Sequence, residues 1–194
     1  MTYSKYILTL FIAFSSTLFA QKGNIDFEKD IKSLNDLGKQ LISSESDDTR
    51  STANKEHTFI LKTLIGREGS FDYNFKALKT ISVLQAHNLK IYNWVRPLTD
   101  GTYEYFAFLQ IRKSKTEFEI IELTDKSDQI KSPENKILTS KNWYGALYHK
   151  LIYNKKLGQN YYTLLGWDGN DNLSNKKIID VINISTNGMV KFGA

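Results

Sequence analysis

The best local candidate for a site is LLGWDGNDN, Leu164 to Asn172, in which Asp168, Asn170 and Asn172 stand two residues apart and Asp171 adds a fourth donor. Alternating Asp and Asn at this spacing is how a calcium loop presents hard oxygen ligands to a cation. The rest of such a loop is missing, since its sixth position is Leu173 instead of Gly and its twelfth is Ile179 instead of a bidentate Glu. Asp, Gly and Asn are also the residues that a tight turn selects. The segment therefore reads either as a cation site built from Asp168, Asn170 and Asn172 or as a turn without metal. No other grouping carries a recognisable chemistry: the chain has no G-x-S-x-G elbow, no H-E-x-x-H pair, no P-loop and no dinucleotide fingerprint. His57, His87 and His149 lie far apart without an acid or nucleophile at a catalytic spacing, which suits packed or surface roles better than those of base or ligand. Acid–base chemistry then requires carboxylates that converge only in the fold, for instance Asp168 or Asp171 with Glu104 or Glu122.

A second candidate is aromatic. Trp94, Trp143 with its neighbour Tyr144, and Trp167 sit in the contexts IYNW, NWYG and LLGW. On an exposed sheet face these rings form a stacking platform for sugars or for a partner chain; beside Ile91, Leu147 and Leu165 they equally suit a core.

These residues are carried by a chain with an export address. Lys5 supplies a positive start, Tyr6 to Phe19 an apolar stretch, and Ala20 a small residue at the expected cut, so residues 1–20 read as a signal peptide with the mature protein starting near Gln21. Periplasm or extracellular space is the implied location, with no transmembrane span once the signal is removed. Cysteine is absent, which excludes disulfides, thiolate metal sites, thiol catalysis and a lipid-bearing N-terminal Cys. Stability must come from burial, and the 13% aromatic content supplies the area. The net charge of +5 is scattered over Arg112, Lys113 and Lys115, Lys155 and Lys156, and Lys176 and Lys177, all at expected turns or strand ends. That pattern argues for solvated lysines and against a nucleic-acid partner.

The elements that must position the candidates follow from periodicity. Helical spacing predicts one amphipathic helix over Asn24 to Ile42 and a second over Thr52 to Ile65, separated by the polar run Ser43 to Asn54. Beyond Gly69 the period changes to two, predicting strands at Thr80–Leu84, Leu89–Val95, Thr102–Ile111, Glu117–Leu123, Tyr144–Tyr153, Tyr161–Trp167, Ile178–Ser185 and Met189–Phe192, with a long loop from Lys126 to Lys141. Turn signals such as Asn187-Gly188 imply sequential hairpins. In TYEYFAFLQI both faces are apolar, which marks a central strand covered by helices on one side and a second sheet layer on the other, whereas EFEIIEL reads as near an edge. The expected fold is α+β, a helical pair followed by a mostly antiparallel β-meander, sandwich-like or an open curved sheet, in a single domain over residues 21–194. Met189 to Phe192 ends the sequence without a cap, which predicts an exposed edge strand and a natural polypeptide that continues beyond Ala194.

The stretches IYNW, DGTYEYFAFLQI, NWYGALYHKL, NYYTLLGWDGND and KKIIDVINI together resemble a family of exported proteins of Bacteroidota-type bacteria. The resemblance runs from about Ser70 to the C-terminus and is most specific in YYTLLGWDGN and KKIIDVI. It implies export and a mostly β domain, and supplies no activity, cofactor or catalytic residue. Where such relatives have a Ser-Pro-Asp-like turn before IYNW, this chain has Ala86-His87-Asn88. The expectation is a non-catalytic envelope protein without a cofactor that binds a protein or glycan partner; the competing expectation is a hydrolase of an envelope polymer.

Overall fold

The computed structural model describes residues 16–157 and 160–193, with side chains from Phe27 onward except that of Leu157. Most of the expected signal peptide lies outside the described residues. Two helices, α1 (Ser16–Ser43) and α2 (Asp47–Ile65), precede β1 (Ser82–Ala86), β2 (Leu89–Pro97), β3 (Tyr103–Arg112), β4 (Phe118–Leu123), β5 (Leu138–Thr139), β6 (Leu147–Tyr153), β7 (Tyr161–Asp168), β8 (Lys176–Ile184) and β9 (Val190–Phe192). Both helices start earlier than their apolar spacing predicts. At α2 the reason is local: Asp47 and Asp48 occupy the first turn, where acidic side chains favour the helix dipole. The Asp47 carboxylate also accepts from Thr99 N and Oγ1 at 3.1 and 2.6 Å, tying the helix start to the β2–β3 turn.

The strands form two antiparallel sheets, β1-β2-β3-β4 and β5-β9-β8-β7-β6. Each is a meander in chain order except for β5, which adds itself beside β9 from within the segment expected to be a loop. That pairing corrects the edge expectation. Leu138 stands opposite Phe192 and Thr139 opposite Lys191, so β9 lies between two neighbours and Val190 and Phe192 are buried. Two residues of pairing inside a polar stretch leave no alternation for sequence periodicity to detect.

Strand parity then sorts the core into two layers. Tyr105, Ala107, Leu109 and Ile111 of β3 face the second sheet and pack with Leu164, Ile182 and Phe192. Phe108 faces the helices, with Trp94 and Tyr92 of β2 against Leu34, Leu61 and Leu64. The order is helices, four-stranded sheet, five-stranded sheet, and β3 is covered on both faces as its sequence predicts. β4 is an edge strand, also as predicted.

The margins of the sandwich are sealed by side chains. A bulge between Tyr148 and Lys150 displaces the β6 backbone from its partner, and displaced amides and carbonyls need other partners. Tyr148 N donates to Asn93 Oδ1 at 2.7 Å and Tyr148 O accepts from Ser82 Oγ at 2.8 Å, linking β6 to β1 and β2. On the opposite margin Trp143 N donates to Thr124 O at 3.0 Å and Lys126 N to Trp143 O at 2.9 Å. Among the described residues no helix is long and apolar enough to cross a membrane.

Candidate functional site

A cleft of about 680 Å³ opens at the end of the sandwich where β3 begins, β4 ends and β7 turns into β8. Its floor is a stretch of β3 that β4 leaves unpaired, because the β3–β4 register starts only at Ala107 opposite Leu123. Here Asp125 takes over from the missing strand. Its carboxylate accepts from Tyr105 N at 3.1 Å, Ser127 N at 2.9 Å and Gly145 N at 3.2 Å. The approach at Gly145 is close enough to demand glycine: a Cβ there would lie 2.5 Å from the Asp125 carboxylate atoms.

Opposite Asp125, alternation along β7 points Tyr162, Leu164, Gly166 and Asp168 inward, and Asp168 falls where the interior meets the cleft. It is 5% exposed and both of its oxygens are engaged. Oδ1 accepts from Tyr105 OH at 2.9 Å and Asn170 N at 2.8 Å; Oδ2 accepts from Tyr144 OH at 2.9 Å and Lys176 Nζ at 3.4 Å. Lys176 Nζ also donates to Asn170 Oδ1 at 2.6 Å and Tyr144 OH at 3.2 Å. Gly169 N returns a bond to Tyr105 OH at 2.6 Å. A lysine ammonium thus sits where the oxygens of Asp168, Asn170 and Tyr144 converge.

The proton affinities fit this division into donors and acceptor. Burial raises the Tyr105 hydroxyl, opposed by the Gly169 amide and reinforced by Asp168. Burial also raises Tyr144, with the Lys176 hydrogen bond opposing and Asp168 reinforcing. For Lys176 burial works against the cation, yet its bonds to Tyr144 and Asp168 prevail and raise it. Both tyrosines therefore stay protonated at neutral pH and donate to Asp168.

The sequence candidates separate cleanly. Trp94 is 2% exposed and donates Nε1 to Asn54 Oδ1 at 2.8 Å beneath α2; Trp143 is fully buried and donates Nε1 to Tyr148 OH at 2.9 Å. Neither presents a stacking face. Trp167 is half-buried at the margin, meeting Tyr103 edge to face at 5.1 Å, and Tyr144 lines the cleft. Of the oxygen ligands, Asp168 and Asn170 meet around Lys176, whereas the Asn172 amide turns away to donate to Asp100 O at 3.0 Å. Asp171 caps its own turn by accepting from Leu173 N and Ser174 N at 2.9 and 2.8 Å. Among the described residues no three His, Asp or Glu side chains are placed to hold a metal ion. Glu104 and Glu122 do line the cleft with Asp168, each with a cation of its own: Arg96 Nε donates to Glu104 at 2.9 Å and Lys62 Nζ to Glu122 at 3.0 Å. His57 is buried on the face of α2 that packs on Trp94, His87 stacks on Tyr153 at 4.4 Å in the β1–β2 turn, and His149 is exposed at the bulge.

Sequence reading misses Tyr105, Asp125 and Lys176. The parity of TYEYFAF does put Tyr103 and Tyr105 on one face, so a polar end to that face was detectable; the pairing of Asp125 with the edge of β3 was not. Comparison with protein-family models, curated proteins and solved structures found no match to this chain.

Proposed function

We propose that the protein is an exported, non-catalytic envelope component that binds a glycan segment in the cleft between its sheets. The observation that supports this reading is the preformed polar network around Asp168 beside half-buried rings: Tyr144 and Tyr103 offer aromatic edges and faces, while Asn170, Lys176, Glu104 and Asp128 offer hydrogen-bonding groups along the same wall. Sugar rings need both, a flat apolar patch for their C–H faces and fixed polar groups for their hydroxyls. The network is bonded before any ligand arrives, which lowers the ordering cost of binding.

The hydrolase reading rests on one specific fact, that Asp168, Glu104 and Glu122 share the cleft. Each is held by its own cation, an arrangement of structural ion pairs rather than of an acid working with a base. Titration calorimetry of the full chain against soluble envelope oligosaccharides, with product analysis of the same mixtures, tests both. Saturable heat without cleavage, lost in Tyr103→Ala while the variant still unfolds cooperatively, is the expected result. Cleavage products that disappear in Glu104→Gln or Glu122→Gln transfer the function to the hydrolase, and binding only of peptides transfers it to a protein partner.

A further inference from the structure

The outer face of the five-stranded sheet is as distinctive as its inner one. Register places Lys150, Leu165 and Ile179 in one row across β6, β7 and β8, and Ile152, Thr163 and Val181 in the next. These side chains point away from the core, and two stay strongly in water: Ile179 is 77% exposed and Ile152 39%. Lys177 continues the β8 side of the face and Lys191 the β9 side, the latter opposite Asn183. Among the described residues no Asp or Glu occupies an outward position on β6, β7, β8 or β9. Acidic side chains are frequent in the rest of the chain, so the face is polarised in sign and apolar at its centre.

We propose that this face docks on an anionic lipid surface. Lysine stems lie along apolar neighbours while their ammonium groups reach outward. On a bilayer of negative headgroups Lys150, Lys177 and Lys191 meet phosphates as Ile152, Leu165 and Ile179 leave water at the acyl boundary. A soluble polyanion answers the charges and leaves the isoleucines exposed; an anionic bilayer satisfies both at once.

Co-sedimentation of the full chain with vesicles of phosphatidylcholine alone, or of phosphatidylcholine and phosphatidylglycerol in equal parts, measures this. The N-terminal apolar segment is common to all variants, so differences between variants report on the sheet face. The expected result is a preference for the anionic vesicles that high salt removes, that falls about fivefold per Lys→Gln substitution at positions 150, 177 and 191, and that falls about a hundredfold in the triple variant. Ile179→Ser is expected to weaken binding as well, with the far-ultraviolet melting curve unchanged because the position is exposed. No preference in the parent chain, or an undiminished preference in the triple variant, overturns the proposal. Undiminished vesicle binding in Ile179→Ser together with full competition by inorganic polyphosphate also overturns it, in favour of a soluble polyanion.

Discussion

Where α2 crosses the four-stranded sheet, His57 is fully buried against Trp94 with neither ring nitrogen hydrogen-bonded. On the other side of the same sheet, at the same depth, Tyr148 gives its hydroxyl to Asp180 at 2.8 Å and takes the indole N–H of Trp143. Burial raises Tyr148 and Asp180 alike, so the hydroxyl proton is retained between them. One layer thus tolerates an uncompensated polar ring, whereas the other satisfies its polar atoms. The difference teaches which layer is set to come apart. Helix docking joins apolar contact to two buried bonds, Trp94 Nε1 to Asn54 Oδ1 at 2.8 Å and Gln110 Nε2 to Ile65 O at 2.9 Å, yet leaves the His57 ring unbonded between them, whereas the sheet-to-sheet layer is stitched by directional bonds that also shape the cleft.

The largest effects should come from the two buried tryptophans. Trp94→Ala and Trp143→Ala are each expected to cost about 3 to 5 kcal/mol in denaturant unfolding. Their local consequences should differ: hydrogen exchange is expected to rise in α1 and α2 for Trp94→Ala, and in β6 and β8 for Trp143→Ala. Uniform loosening in both variants contradicts the two-layer account.

Next comes acidity. Burial holds His57 down at about 4 instead of 6.5. The unfolded chain therefore takes up this proton first, and stability is full above pH 6.5 and declines as the pH falls from 6.5 towards 4, by about 3 kcal/mol in all. Asp47 and Asp72 are held below the ordinary carboxylate range, Asp47 chiefly by Thr99 and Asp72 by Arg112, so their contributions disappear only at lower pH. His57→Leu should flatten the curve between pH 6.5 and 4 while leaving the steeper acid limb in place. A parent curve that is already flat there removes the distinction between the layers.

A smaller effect is expected at the cleft floor. Gly145→Ala drives a methyl group into the Asp125 carboxylate, which three backbone amides hold in place. Overpacking of this kind costs about 1 to 3 kcal/mol. The loss should be accompanied by chemical-shift changes at Tyr105 N and Ser127 N rather than in α2.

The same contrast explains what was legible in the sequence. Apolar periodicity revealed the layers, because alternation in TYEYFAFLQI and helical spacing around Leu34 and Leu61 are direct images of burial. Side-chain chemistry marked Asp168, through the two-residue spacing of its oxygen donors, and Tyr144, through its place beside Trp143; periodicity marked neither. Nor did periodicity reveal β5, whose partner lies far along the chain, or the buried ammonium of Lys90, which donates to the carbonyls of Ser70, Phe71 and Tyr73 at 3.3, 3.0 and 2.7 Å. A lysine at an alternating position looks solvent-facing until the loop that wraps it is known. The cleft was hidden for a related reason: Asp125, Asp168 and Lys176 are joined by the ends of three strands in two sheets, and no local spacing records where strands end relative to one another.

The smallest expected effect sharpens the comparison most. Tyr144→Phe removes one donor from a carboxylate that retains Tyr105 OH, Asn170 N and Lys176 Nζ. A hydrogen bond to a charged acceptor is ordinarily worth about 1.5 to 3 kcal/mol. Because Lys176 has a half-exposed side chain, water can enter beside it and take the vacated position on Asp168. The loss should therefore fall below that range, and the melting curve should barely move. The equivalent change inside the sandwich, Tyr148→Phe, has less relief: water can reach the half-buried Asp180, but Trp143 Nε1 is fully buried and is left without a partner. It should cost clearly more than Tyr144→Phe although the same single atom is deleted. Equal losses in the two variants would mean that the cleft end of the network is as closed as its interior, which leaves no room there for a ligand.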